Sequence, residues 1–111
     1  MAVLPSSDED FRRYLDENKY LIVKFYADWS GTCKLLLPRY TELSEEQRFE
    51  DVMFLDMDIE ENQLTKINVG VESLPCFGIF CKGEKIKLAT IGTDADKDMY
   101  QLIDILEDLL D

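Results

Sequence analysis

The sequence predicts an α/β fold in which four helices sandwich a mixed central sheet of four to five strands. Three observations carry that expectation. The runs Leu21 to Tyr26, Val52 to Asp58 and Cys76 to Cys81 are rich in β-branched and aromatic residues and too short for helices. Between and after them lie stretches with apolar residues at helical spacing. Lys82-Gly83 then marks a tight antiparallel turn. The element order reads βαβαββα, with an extra strand available at Ala2-Val3-Leu4.

Taken in order, Ser6-Ser7 followed by Asp8-Glu9-Asp10 is a helix start, with acids on the positive end of the helix dipole. Phe11, Tyr14 and Leu15 fall on one face of that helix, and Asn18-Lys19 ends it. Leu21 to Tyr26 is expected to be a central strand covered on both faces. Residues 34–48 read as a helix with Leu36, Leu37, Tyr40 and Leu43 available to the core, kinked at Pro38. Val52 to Asp58 is the next strand, followed by a short helix with Leu64 and Ile67 expected to face inward. Cys76 to Cys81 and Lys85 to Ile91 form the hairpin around Lys82-Gly83. Asp94 or Asp96 is expected to cap the last helix, whose apolar stripe is Met99, Leu102, Ile103, Leu106 and Leu110.

A length of 111 residues fits one domain, residues 1–111, with a single core. Twenty-four acids against twelve bases give a net charge of −12, which argues against nucleic acid and anionic membranes as partners. No apolar run approaches a membrane span, so the expected location is cytoplasmic. With no histidine, Cys-His and Ser-His pairs and histidine-containing zinc sites are excluded. Asp56-x-Asp58-x-Glu60 superficially suggests a calcium loop, but Glu61 stands where the turn requires glycine, and the segment reads as a solvated strand end. Neither a metal nor a cofactor is expected.

The chemistry concentrates in Ala27-Asp28-Trp29-Ser30-Gly31-Thr32-Cys33-Lys34, where a buried strand runs into a turn and Cys33 falls in the first turn of a helix. Pro38 lies inside that helix, Leu74-Pro75 precedes the third main strand, Lys82-Gly83-Glu84 forms the hairpin, and Ile91-Gly92 follows it. Together these marks resemble the thioredoxin family, whose active-site turn carries Trp-Cys-Gly-x-Cys, and the resemblance extends over nearly the whole chain. It implies the thioredoxin fold, and a cis bond at Leu74-Pro75.

The resemblance also implies a mechanism from which this chain departs. In the family the first cysteine attacks a substrate disulfide as a thiolate at a helix N-terminus, and the second resolves the mixed disulfide. Here Ser30 stands at the nucleophile position and only Cys33 remains. An alkoxide is inaccessible at neutral pH without an activating base, so standard dithiol exchange is expected to be lost.

A second departure is Lys24, where the family usually places a buried carboxylate beneath the second cysteine that assists proton movement. Strand alternation points Lys24 toward the same covered face as Ile22 and Tyr26. Its bland reading is that it snorkels or pairs with a nearby acid; its functional reading is that it stabilises a thiolate on Cys33. The third departure is Cys76, directly after the matched proline, where the family more often has threonine. Plain packing is the bland reading of Cys76, and a redox or steric role beside Cys33 the functional one. Cys81, on the opposite face of its strand from Cys76, is expected in the core.

Two functions follow. The leading one is a polypeptide binder that uses the old substrate surface, made of Trp29, Ser30, Gly31, Thr32, Leu74, Pro75 and Gly92, with an exposed indole and a backbone edge at Ser73-Leu74 suited to an extended peptide. The alternative is a thiol-disulfide oxidoreductase working as a monothiol through Cys33, with or without Cys76.

Overall fold

The computed structural model describes residues 3–27, 31–90 and 95–110, with positions 31–37, 90, 95, 96 and 98 described in backbone only. Five strands form one sheet: β1 (Leu4–Pro5), β2 (Tyr20–Tyr26), β3 (Val52–Asp58), β4 (Cys76–Cys81) and β5 (Glu84–Thr90). The helices are α1 (Asp8–Glu17), α2 (Gly31–Ser44), α3 (Gln63–Val69) and α4 (Ala95–Leu110), with a short 3-10 turn at Gln47–Phe49. Among the described residues, no helix is long and apolar enough to cross a membrane.

The sheet order is β1-β3-β2-β4-β5, so β2 is central, as its apolar run, interrupted only by Lys24, predicts. It pairs in parallel with β3 and antiparallel with β4. Alternation then sorts the side chains into two cores. Ile22, Phe54, Phe77 and Ile79 pack with Tyr40 and Leu43 of α2 and with Met99, Leu102 and Leu106 of α4. Leu21, Val23, Phe25, Leu55 and Met57 pack on the other face with Phe11 of α1 and Val69 of α3. The expected inward positions of Phe11, Tyr40, Leu43, Met99, Leu102 and Leu106 all hold.

Local signals set most boundaries. Ser7 caps α1, its hydroxyl accepting from the Asp10 amide at 3.3 Å. Lys82 and Gly83 take φ of 52° and 82°, the left-handed pair of a two-residue hairpin turn.

Several boundaries and faces depart from expectation. The second helix begins at Gly31 and gives out at Ser44, with the 3-10 turn replacing the rest of the expected helix to residue 48. Asp96 lies inside α4 instead of capping it, and Asp94 lies outside the described residues. Ile91, the expected end of β5, and the side chains of Leu36 and Leu37 also lie outside them. Leu64 and Ile67 point outward, 67% and 73% exposed, while Thr65 and Val69 of the same helix are buried. Cys81 is half-buried, not core, because it ends β4 at the mouth of the hairpin opposite the half-buried Tyr20.

The face that α3 turns inward is chosen by a clasp from α1. Asn62, its N-cap, makes no side-chain cap bond. Instead the Asp8 carboxylate accepts from the Thr65 amide at 2.9 Å, the Thr65 hydroxyl at 2.6 Å and the Leu64 amide at 3.3 Å. In return the Asn62 side chain accepts from the Asp8 amide at 2.8 Å. Burial pushes the Asp8 carboxyl up, but the Thr65 and Leu64 hydrogen bonds outweigh it, and the net shift is below the ordinary 3.8. A depressed carboxyl contributes stability above its unfolded value and loses it as pH falls through the folded one. Asp8→Ala should therefore cost about 1–2 kcal/mol at neutral pH, as loss of a helix cap does. In urea unfolding, the gap to the parent should narrow on acidification below the ordinary carboxylate range; a gap independent of pH would refute the clasp.

Candidate functional site

The register of β4 brings three stretches to one end of the sheet. Cys76 is opposite Phe25 near the C-terminal end of β2 and opposite Thr90 at the end of β5. The chain therefore leaves β2 after Tyr26, enters β4 from Leu74-Pro75 and leaves β5 at Thr90, all on one edge of the fold. The Leu74-Pro75 bond is cis, in agreement with the expectation. Ile59, just past β3, ties to this end by donating its amide to the Tyr26 carbonyl at 3.0 Å.

Trp29, Ser30 and Gly92 lie outside the described residues. Gly31, Thr32 and Cys33 are the first three residues of α2, which puts Cys33 in the first helical turn as its sequence position requires. Cys33 precedes Tyr40 by seven residues, two turns and roughly 10 Å of helix. In the proline loop Ser73 is exposed, Leu74 half-buried and Pro75 buried, so the surface offered beside the cis bond is that of Ser73 and Leu74.

Cys76 is 1% exposed and packs with Leu21, Val23, Phe25 and Val69. That core lies across the sheet from the one holding Tyr40 and Leu43 of α2. Its surroundings suit packing.

Lys24 does not snorkel: it is 3% exposed, on the α2 face of the sheet. Its ammonium stands 5.3 Å from the Tyr26 ring centre and 5.6 Å from that of Tyr40, within reach of a cation–π contact with each. Among the described residues, an acid neighbours it in Asp56, its register partner on β3. Burial pushes the Asp56 carboxyl up, while the Lys24 charge pulls it down; burial dominates and the net shift is upward.

Tyr40 completes the group. Its hydroxyl donates to the Leu55 carbonyl at 2.7 Å, with the Ile22 carbonyl at 3.2 Å. Burial first, and the Asp56 charge second, raise its phenol well above the ordinary 10.0, so it remains a neutral donor at neutral pH. The arrangement sets a lysine and a carboxylate on the sheet beside the phenol that Tyr40 extends from α2, the helix that begins with Gly31-Thr32-Cys33.

Sequence reasoning reached Lys24 but missed Asp56, which it read as part of a solvated strand end. Parity held the signal: Val52, Phe54 and Asp56 share one face of β3, and the first two are buried. Among the described residues no group of His, Cys, Asp and Glu has the geometry of a metal site.

Comparison with known proteins bears on the whole chain. The family model described as Thioredoxin matches residues 2–105. Thioredoxin of Rickettsia typhi is 37% identical over 89 residues, 80% of this chain and 83% of that protein. Thioredoxin-T of Drosophila melanogaster is 34% identical over 90 residues, 81% of this chain but only 56% of that protein. Among solved structures, Plasmodium falciparum thioredoxin superposes with a TM-score of 0.81 at 26% identity, covering 92% of this chain and 97% of that one.

Proposed function

This chain belongs to the thioredoxin family of redox proteins, and we propose that it is a single thioredoxin-like domain whose dithiol exchange is impaired and which binds a polypeptide in the cytosol. The observation that carries this reading is Ser30 at the position of the attacking cysteine, three residues before Cys33. Trp29, Ser30, Gly31, Thr32, Leu74, Pro75 and Gly92 are the proposed binding surface. In support, the cis bond at Leu74-Pro75 sets exposed Ser73 and half-buried Leu74 at the end of the sheet from which β2 departs toward α2. An extended peptide laid there would bond through its main chain and be selected through alternate side chains.

A second reading keeps chemistry on Cys33. Its place in the first turn of α2, at the positive end of the helix dipole, favours a thiolate. As a monothiol, Cys33 would attack a substrate disulfide, forming a mixed disulfide and expelling the other substrate sulfur as thiolate.

Titration with a reduced, S-carboxymethylated unfolded polypeptide, followed by amide NMR, separates the two. The binder is expected to show saturable shifts at Ser73, Leu74 and Cys76 that persist in Cys33→Ser. Absence of shifts at those amides would refute binding there. A chain that captures only a disulfide-containing polypeptide, and only with Cys33 intact, would establish the monothiol instead.

A further inference from the structure

We propose that the cleft between α1, α3 and the β4–β5 hairpin is a second binding site, for a small amphipathic carboxylate with an aromatic or branched apolar body. The cleft encloses about 360 Å³, at the small end of the range for ligand pockets. It lies around Phe80, four residues along β4 from Cys76, or roughly 13 Å of strand. It is thus separate from the surface around Leu74-Pro75.

Its floor is a T-shaped pair, Phe11 and Phe80, with ring centres 5.5 Å apart, flanked by Leu15 and Val69. Leu64 stands at its rim, turned outward by the Asp8 clasp that holds Thr65 inward, so its apolar side chain is left uncovered there. An apolar ligand body between Leu15 and Leu64 would cover that side chain.

The polar lining selects the charge of the ligand. Among the described residues Asp8 is the only carboxylate lining it, and its oxygens are already bonded by Thr65 and Leu64. The two cations are differently disposed. Lys85 donates to the Val69 carbonyl at 3.0 Å, a neutral partner that leaves its charge and further donors for an anion. Arg12 is 3.4 Å from Asp16 in an exposed i,i+4 pair, which exchanges for another carboxylate at little cost. A local cationic rim over an aromatic floor is complementary to an anion with an apolar body.

The test is amide NMR of the full chain titrated with 3-phenylpropanoate, with 3-phenylpropanamide as the neutral control. A ligand with about ten non-hydrogen atoms is expected to bind with millimolar affinity, shifting the Leu15, Leu64, Thr65, Val69 and Phe80 amides. The neutral amide should bind roughly fivefold more weakly, as should the acid to Lys85→Gln or Arg12→Gln. Leu64→Glu, at an exposed position that leaves the fold intact, should remove binding, whereas Cys33→Ser should not. No saturable shift at those amides would overturn the site, and equal binding of acid and amide would overturn its anionic specificity.

Discussion

Insulin reduction driven by dithiothreitol is expected to be slower with this chain than with ordinary thioredoxins by at least about a thousandfold, the scale on which deletion of a nucleophile acts. Exchange begins with a thiolate, and a serine hydroxyl does not ionise near neutral pH without a base aimed at it. The chain has no histidine to supply one. Cys33 remains, but after one attack no neighbouring thiol stands in the motif to release the mixed disulfide. Ser30→Cys should therefore restore an internal disulfide with Cys33 and measurable turnover. That turnover should stay about a hundredfold below the ordinary rate, the low end of what a positioned proton-transfer group contributes, if Lys24 stands where the resemblance implies a carboxylate. Lys24→Asp alone would set a second carboxylate beside Asp56, so the fair restoration adds Lys24→Asp and Asp56→Asn to Ser30→Cys. Parent turnover equal to that of ordinary thioredoxins would refute the binder reading outright. Full activity from Ser30→Cys alone would show that Lys24 is neutral to the chemistry.

What the amino-acid order revealed, and what it concealed, follows from the range of the forces involved. β2 was legible because five of the six positions from Leu21 to Tyr26, all but Lys24, are apolar or aromatic and expensive to expose on either face. The start of α2 was legible because Gly31, Cys33, Pro38 and Leu74-Pro75 form a pattern of fixed chemistry at fixed positions. The inward face of α3 was not. In seven residues, Leu64 with Ile67 and Thr65 with Val69 offer competing stripes, and local periodicity favours the more apolar one. The winner is set by Asp8, 57 residues away, whose carboxylate both caps the helix and holds Thr65 inward. Asp56 was hidden for the opposite reason. Its neighbours Asp58 and Glu60 made it look solvated, although strand parity had already placed it opposite Lys24.

Removing the charge of Lys24 is expected to cost more stability than removing that of Asp56. Lys24 sits at 3% exposure between two aromatic rings, and the charge that faces it across the β2–β3 ladder is Asp56. Burial already disfavours the ionised Asp56 more than Lys24 favours it, so the neutral Asp56→Asn should cost less than about 1 kcal/mol. Lys24→Met gives up the cation–π contacts with Tyr26 and Tyr40 and the charge that opposes the burial of Asp56, so it should cost more, about 1–2 kcal/mol. In the double variant that loss should shrink, because no carboxylate is left to be buried without the lysine, which a urea double-mutant cycle measures directly. The pH dependence adds a sign. Asp56 has its carboxyl raised in the fold, so its contribution is complete below its unfolded value and is lost as pH rises through the folded one. In Lys24→Met the charge that opposes burial is gone, and Asp56 should titrate higher still, as read from its carboxyl carbon by NMR. If Asp56→Asn proved the costlier variant, or Lys24→Met left the Asp56 titration where it was, the pair would not be the electrostatic unit beneath α2.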